Sequence, residues 1–288
     1  MRIIDTHVHY FWWDRNRSEG FLEALRAKAD EIGIEKIALL GTPGPRGHDQ
    51  LQKAVETYPE LIMGMGWLRL DEDPPSLIDE FADRGFHGIK TLGPSRNYDD
   101  EAYFRHYEKA QARGLRILFH TGILGGPVDY LAGGSEDAWK APPTGAEEEK
   151  LVAKLSREAR GRRYGFSSAR MQPIYLDTIA FHFPEMFIIG AHLGWPDYRT
   201  ACAIARWRPR LFFDVSGGDV VRRHIIDGGY IMNEIRPEKL VYGSDCDLDR
   251  MKRDAEEWNR AFIEMGLTEE QRDMIFYQNA ARMFGIET

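Results

Sequence analysis

Short runs of β-branched and aromatic residues recur along the chain, each followed by a stretch whose apolar positions repeat at helical spacing. Eight such runs are present, at 2–10, 36–42, 61–68, 88–93, 116–122, 187–194, 211–217 and 240–245. Between them the pattern predicts helices, among them 20–32, 48–57, 75–84, 100–113, 173–182 and 198–206. The 100–113 stretch shows the helical logic well. Asp99, Asp100 and Glu101 stand at its positive end, Tyr103, Tyr107 and Ala110 share a face, and Gly114 closes it. Eight strand–helix units in series predict a closed (β/α)8 barrel, a TIM barrel. An open doubly wound sheet would carry a glycine-rich phosphate loop after its first strand, and this chain carries His7-Val8-His9 there.

Two segments depart from the repeat. Residues 123–172 make a long connection between strands five and six, rich in Gly and Pro early and in charge later, with a helix predicted over 147–160. The basic group that follows, Arg160, Arg162 and Arg163, reads as a solvated helix end. Loops of this length on a barrel serve as lids or partner surfaces. Residues 268–286 predict C-terminal capping helices, opened by a capping box of Thr268 and Gln271. With no linker and no further repeat, one domain is expected over 1–288.

Composition changes little in this picture. A length of 288 residues, 43% hydrophobic and 29% charged, suits one globular barrel. A net charge of −8 counts against a nucleic-acid partner and leaves a small molecule as the expected one. Cys202 and Cys246 lie far apart and form no ligand motif, which points to a reducing compartment. No apolar run approaches the roughly 20 residues of a membrane span, and the first strand begins too early for a signal peptide. A cytoplasmic protein is therefore expected, with no membrane partner; a homo-oligomeric state is left open.

The chemistry lies at the strand ends, where barrel enzymes place their sites. In a strand, residues two apart point to the same side, so His7 and His9 face one interior point. Lys90 lies in strand four, His120 ends strand five, His192 ends strand six and Asp245 ends strand eight. Each follows an apolar run that would bury it. Buried ionisable groups at matching depth need one another or a cation. Imidazoles with a carboxylate suit a divalent metal: zinc first, with manganese, iron or cobalt as alternatives. Asp214 and Ser216 at strand seven point near the site, in place to orient a ligand. Asp5 shares the strand face of His7 and His9 at a deeper level. The remaining histidines (His48, His87, His106, His182 and His224) read as structural or exposed.

On these residues the chain resembles the amidohydrolase superfamily, in its amidohydrolase-related (amidohydrolase 2) branch. That branch contains aminocarboxymuconate semialdehyde decarboxylase and 2-pyrone-4,6-dicarboxylate lactonase. The resemblance rests on Asp5-Thr6-His7-Val8-His9, His120-Thr121-Gly122, Ala191-His192-Leu193-Gly194-Trp195-Pro196, Asp214-Val215-Ser216-Gly217, Gly243-Ser244-Asp245 and Asn279-Ala280-Ala281-Arg282, in order over nearly the whole length. It implies His7 and His9 as metal ligands. His120 is implied as a ligand or a group that polarises substrate, and His192 as a ligand or its near neighbour. Asp245 is implied as ligand and proton acceptor. In binuclear members a strand-four lysine is carboxylated and bridges two metals, so Lys90 implies one ion or two. Its alternative is a cation that pairs with Asp245 or binds a substrate carboxylate.

The expected activity is metal-dependent hydrolysis of a lactone, amide or ester with activated water, Asp245 serving as general base. Non-oxidative decarboxylation or hydration on the same site is the alternative. For the substrate, Trp12 and Trp13 follow the first ligands and would wall a ring. Arg69 and Arg170 could grip a carboxylate, and Trp195 would line the pocket.

Overall fold

The computed structural model describes residues 1–10, 20–125, 144–161 and 167–287, side chains of 155 and 157–161 excepted. Its strands are β1 (Ile3–His9), β2 (Ile34–Leu40), β3 (Ile62–Leu68), β4 (Gly88–Thr91), β5 (Arg116–Phe119), β6 (Ile188–Gly190), β7 (Leu211–Asp214) and β8 (Leu240–Val241). They form one sheet in the order β1 to β8, every neighbouring pair parallel. The circle closes where β8 meets β1. Thr6 N donates to Tyr242 O at 3.0 Å and Asp245 N to His7 O at 2.8 Å. This is the TIM barrel that the periodicity predicts, and all eight strands fall within the predicted runs or within two residues of them.

Alternation along the strands sorts side chains into two layers. Ile4, Ala38, Met65, Leu118, Phe212 and Val241 belong to an inner cluster, which Tyr277, Ala280 and Met283 of the C-terminal segment stopper. Ile37, Leu39, Ile89, Ile117 and Phe213 face the surrounding helices. The predicted capping box forms: Gln271 N donates to Thr268 Oγ1 at 3.2 Å and Thr268 N to Gln271 Oε1 at 2.9 Å. It opens Glu269–Asp273, which runs through a π-turn at Met274–Gln278 into Asn279–Phe284.

Around the barrel, the predicted helices form at Phe21–Ile32, Pro45–Thr57, Ser76–Asp83, Phe104–Ala112, Tyr175–His182 and Tyr198–Trp207. Asp100 caps the 3-10 turn Glu101–Tyr103 ahead of the fourth, and Tyr103, Tyr107 and Ala110 are buried as one face. Within the long connection a helix spans Ala146–Gly161; Arg162 and Arg163 lie outside the described residues. Among the described residues, no helix is long and apolar enough to cross a membrane.

Several predicted runs extend past the strands. Strand register ends at Phe119, Gly190 and Asp214, with His120 N still donating to Thr91 O and Val215 N to Val241 O. His120 and His192 follow directly on these strand ends, and their rings meet with centroids 5.0 Å apart.

Candidate metal centre

The first-strand histidines reach the interior through a bulge. In β1, Asp5 pairs with Ile37 and Val8 with Leu39, three residues against two. Ile37 and Leu39 both face outward, so Asp5 and Val8 do too, while His9, paired with Leu40 of the inner cluster, faces in. Asp5 therefore does not share the face of His7 and His9, as simple alternation predicts. Its Oδ1 instead accepts from His7 N at 3.1 Å and from Ser244 N at 3.0 Å, tying the bulge to the start of the β8 loop.

His7, His9 and Asp245 form the cluster. One ligand atom from each lies within 4.8 Å of the others. Nε2 of His9 and of His7 stand 3.4 and 3.6 Å from Asp245 Oδ1, and His192 Nε2 lies 3.8 Å from Asp245 Oδ2. Two positions here have unusual backbone: His192 at φ 59° and Asp245 at φ 43°, both left-handed, a conformation that costs a non-glycine residue roughly 1 kcal/mol or more. The surrounding structure holds both. Asp245 N is anchored on His7 O, and His192 N donates to Asp214 Oδ1 at 2.8 Å.

Glycine at 243 is required by the same closeness, because a Cβ there would stand 2.8 Å from His7 Cβ.

The electrostatics suit a cation. Burial, reinforced by the positive charge of Lys90, holds the His7 imidazole well below the ordinary histidine range. The same two causes, with the neighbouring imidazoles, act on His9 and His120. Burial pushes His192 down to about 4 against the opposing pull of Asp214. All four are thus neutral at pH 7, the form that binds metal. Asp214 Oδ2 stands 2.8 Å from His7 Nδ1, so the single imidazole proton sits on Nδ1 and the lone pair on Nε2 turns to the cluster. His120 Nε2 is buried and has no hydrogen-bond partner among the described residues. A divalent ion fits this donor set: neutral imidazoles, one carboxylate and an orphaned ring nitrogen.

Lys90 lies under the cluster, 1% exposed, with Nζ 3.4 Å from His7 Nε2. Burial lowers its amine, while burial raises the Asp245 carboxyl. Lys90 makes no direct ion pair with Asp245 among the described residues.

Three comparisons bear on this geometry. The model of the amidohydrolase family matches residues 4–286. The chain belongs to the amidohydrolase family. Among solved structures, this amidohydrolase is similar to 5-carboxyvanillate decarboxylase from Sphingomonas paucimobilis (15% identity, 99% of each chain, TM-score 0.61). It is also similar to the 5-carboxyvanillate decarboxylase of Novosphingobium aromaticivorans, complexed with manganese and a nitrobenzoic acid (17% identity, 99% and 96% coverage, TM-score 0.60). A probable 2-pyrone-4,6-dicarboxylic acid hydrolase from Acinetobacter baumannii matches at 15% identity, 99% and 100% coverage and TM-score 0.56. At these identities the structures support the fold alone. No curated protein sequence matches the chain.

The residues expected on the substrate side are placed differently from the His7, His9 and Asp245 cluster. Trp12 and Trp13 lie outside the described residues. Arg69 is engaged within its own loop: Nη2 donates to Asp73 Oδ1 at 2.6 Å and Nη1 to Glu72. Its fork is occupied and not free for a carboxylate. Arg170 is exposed, and its Nη1 donates to Asn97 Oδ1 at 3.2 Å. Trp195 is half-buried against the outer core.

Among the described residues, an aromatic that approaches the histidines is Trp67, whose ring centroid lies 6.2 Å from that of His9 and which pairs with Lys90 in register. Its signal was the period of two in β3, which sets Met63, Met65 and Trp67 on one inner line.

Proposed function

We propose that this amidohydrolase is a metal-dependent hydrolase of a small organic substrate: a lactone, amide or ester. The observation that carries this reading is Lys90 Nζ against the His7 Nε2 that Asp214 turns toward the cluster. A dication on that nitrogen and an ammonium beside it repel by roughly 5–10 kcal/mol at an effective dielectric near 20. This repulsion disfavours Lys90 as a cation in the loaded site, against the pull of Asp245 and Asp214. As a neutral amine it takes up carbon dioxide, releases a proton and becomes a carbamate, an anion among ligands. His7, His9, His120, His192, Asp245 and carboxylated Lys90 then offer donors for two ions, zinc first, with manganese, iron or cobalt as alternatives.

When bound, such ions supply Lewis acidity and lower the pKa of water. Asp245 is placed to move the proton. Its Oδ1 lies beside both first-strand histidines, Oδ2 faces His192, and a quarter of the side chain is exposed. It takes the proton of the attacking water and returns it to the leaving group. With a single ion bound elsewhere, His120 in its Nε2–H tautomer would donate to the substrate carbonyl oxygen as charge develops there. Trp67 walls the pocket on the His9 side.

The second reading is non-oxidative decarboxylation, favoured by the decarboxylases among the structural relatives. There the same Asp245 would deliver its proton to carbon as carbon dioxide leaves. A screen of lactones and carboxylated ring compounds in oxygen-18 water separates the two. Hydrolysis puts solvent oxygen in the product. Carbon dioxide release without that label would replace hydrolysis by the second reading. Asp245→Asn is expected to lose at least a hundredfold in kcat with the fold intact, and retained turnover would remove its proton role. A metal-to-protein ratio near one in a fully active preparation would remove the bridging role of Lys90.

A further inference from the structure

Asp214 and Ser216 contact histidines from two different strands through one compact set of hydrogen bonds. Asp214 Oδ2 faces His7 Nδ1 at 2.8 Å, while Oδ1 accepts from the backbone N–H of His192 and of Ser216 at 2.8 and 3.0 Å. The Ser216 hydroxyl reaches Asp214 Oδ1, His192 Nδ1 at 2.8 Å and His7 Nδ1 at 3.3 Å. Asp214 is fully buried and Ser216 is 1% exposed, so the pattern lies away from bulk solvent.

A hydroxyl has one proton and two lone pairs, and this count decides the arrangement. A carboxylate oxygen only accepts, so the Ser216 proton goes to Asp214 Oδ1. Were it given to His192 Nδ1 instead, the Ser216 and Asp214 oxygens would face each other without a proton between them. With the proton on Asp214, both Ser216 lone pairs are left to accept. One takes Nδ1–H of His192; the other supports the longer contact with Nδ1–H of His7.

We infer that Asp214 and Ser216 act as a single tautomer-setting unit, which holds His7 of β1 and His192 of the β6 loop together as Nδ1–H imidazoles and turns both Nε2 lone pairs toward Asp245. Ser216 is thereby a positioning residue that carries the orienting effect of Asp214 to a histidine the carboxylate does not touch through its ring. The inference deepens the metal-centre reading, and its tautomer statement stands without that reading.

The test is nitrogen NMR of the full chain, metal-free, with 15N-imidazole histidine, the two resonances assigned by His7→Gln and His192→Gln. Both rings are expected as Nδ1–H at neutral pH. An Nε2–H ring at His192 in the unmodified protein overturns the inference, whatever any variant does. In Ser216→Ala, His192 is expected to shift toward Nε2–H while His7 stays Nδ1–H, and zinc or manganese affinity to fall about 10–100-fold. Ser216→Thr, which keeps the hydroxyl, is expected to restore both. A Ser216→Ala protein that loses thermal stability with its His192 tautomer unchanged would show a packing role only and also overturn the inference. If the unmodified protein binds neither ion yet shows the expected tautomers, the metal reading fails and the inference survives.

Discussion

Gly122 tests whether the two loops that carry His120 and His192 are locked together by backbone contact. It has φ +85°, and a Cβ built there would lie 1.6 Å from Trp195 O, an overlap with main chain that no rotamer change relieves. Around it Gly122 N donates to Met171 O, and Ile123 N to Trp195 O, both at 2.8 Å. Gly114, at φ +66° with nothing within 4 Å of its Cβ, is the control. Alanine at either position bears the left-handed penalty, about 1–2 kcal/mol. At Gly122 the overlap adds about 1–3 kcal/mol of overpacking, and the broken Ile123–Trp195 hydrogen bond about another 1. The totals are about 3–6 kcal/mol for Gly122→Ala and about 1–2 for Gly114→Ala. At about 2 °C per kcal/mol for a chain of this size, Tm should fall by about 6–12 °C and about 2–4 °C respectively. Circular dichroism melts at one scan rate, with urea midpoints as a check, measure both. Equal losses in the two variants would refute the contact between the loops, leaving only backbone conformation at work.

Two further predictions follow from the site and its support. Burial raises the Asp245 carboxyl and lowers the neighbouring Lys90 amine, so the empty pair holds a proton near neutrality that a dication must displace. Metal affinity is therefore expected to rise with pH between 6 and 8, about tenfold per unit for each proton released. Titration calorimetry in buffers of different ionisation enthalpy counts the protons, and a flat affinity would contradict it. Thr268→Ala removes the bond from Gln271 N to Thr268 Oγ1 and leaves the one from the residue-268 backbone N–H to Gln271 Oε1, so opening this half of the capping box under the C-terminal stopper should cost about 1 kcal/mol and about 2 °C in Tm. An unchanged melt would mean that bond contributes nothing.

The barrel and the polar residues gathered at its mouth were legible because they rest on period and order. Alternating strands and amphipathic helices place eight parallel strands, and a polar residue closing an apolar run has one place to go, the barrel mouth. What escaped depends on contacts between distant segments. The bulge in β1 exists because Asp5 bonds both His7 N and Ser244 N, a partner more than two hundred residues away, and alternation alone puts Asp5 on the wrong face. Arg69 looked like a carboxylate grip, yet Asp73, four residues on, holds its guanidinium. Trp67 was readable from its parity with Met63 and Met65, but an indole inside an apolar strand looks the same whether it packs or lines a site.

These contacts converge on one seam. The hydrogen bonds that close the barrel between β8 and β1 run through Thr6, His7, Tyr242 and Asp245, interleaved with the candidate metal-site residues themselves. Gly243 lets the two strands approach, and Asp5, its carboxyl raised to about 6 by burial, holds their backbones from the outer side. An ion shared by His7, His9 and Asp245 would bind the same two strands from the inner side. The geometry of the candidate site and barrel closure thus draw on the same few residues. A change that loosens the seam should disturb the donor positions before it disturbs the rest of the fold, because β8 contributes only Leu240–Val241 to the ladder and relies on these contacts for its place.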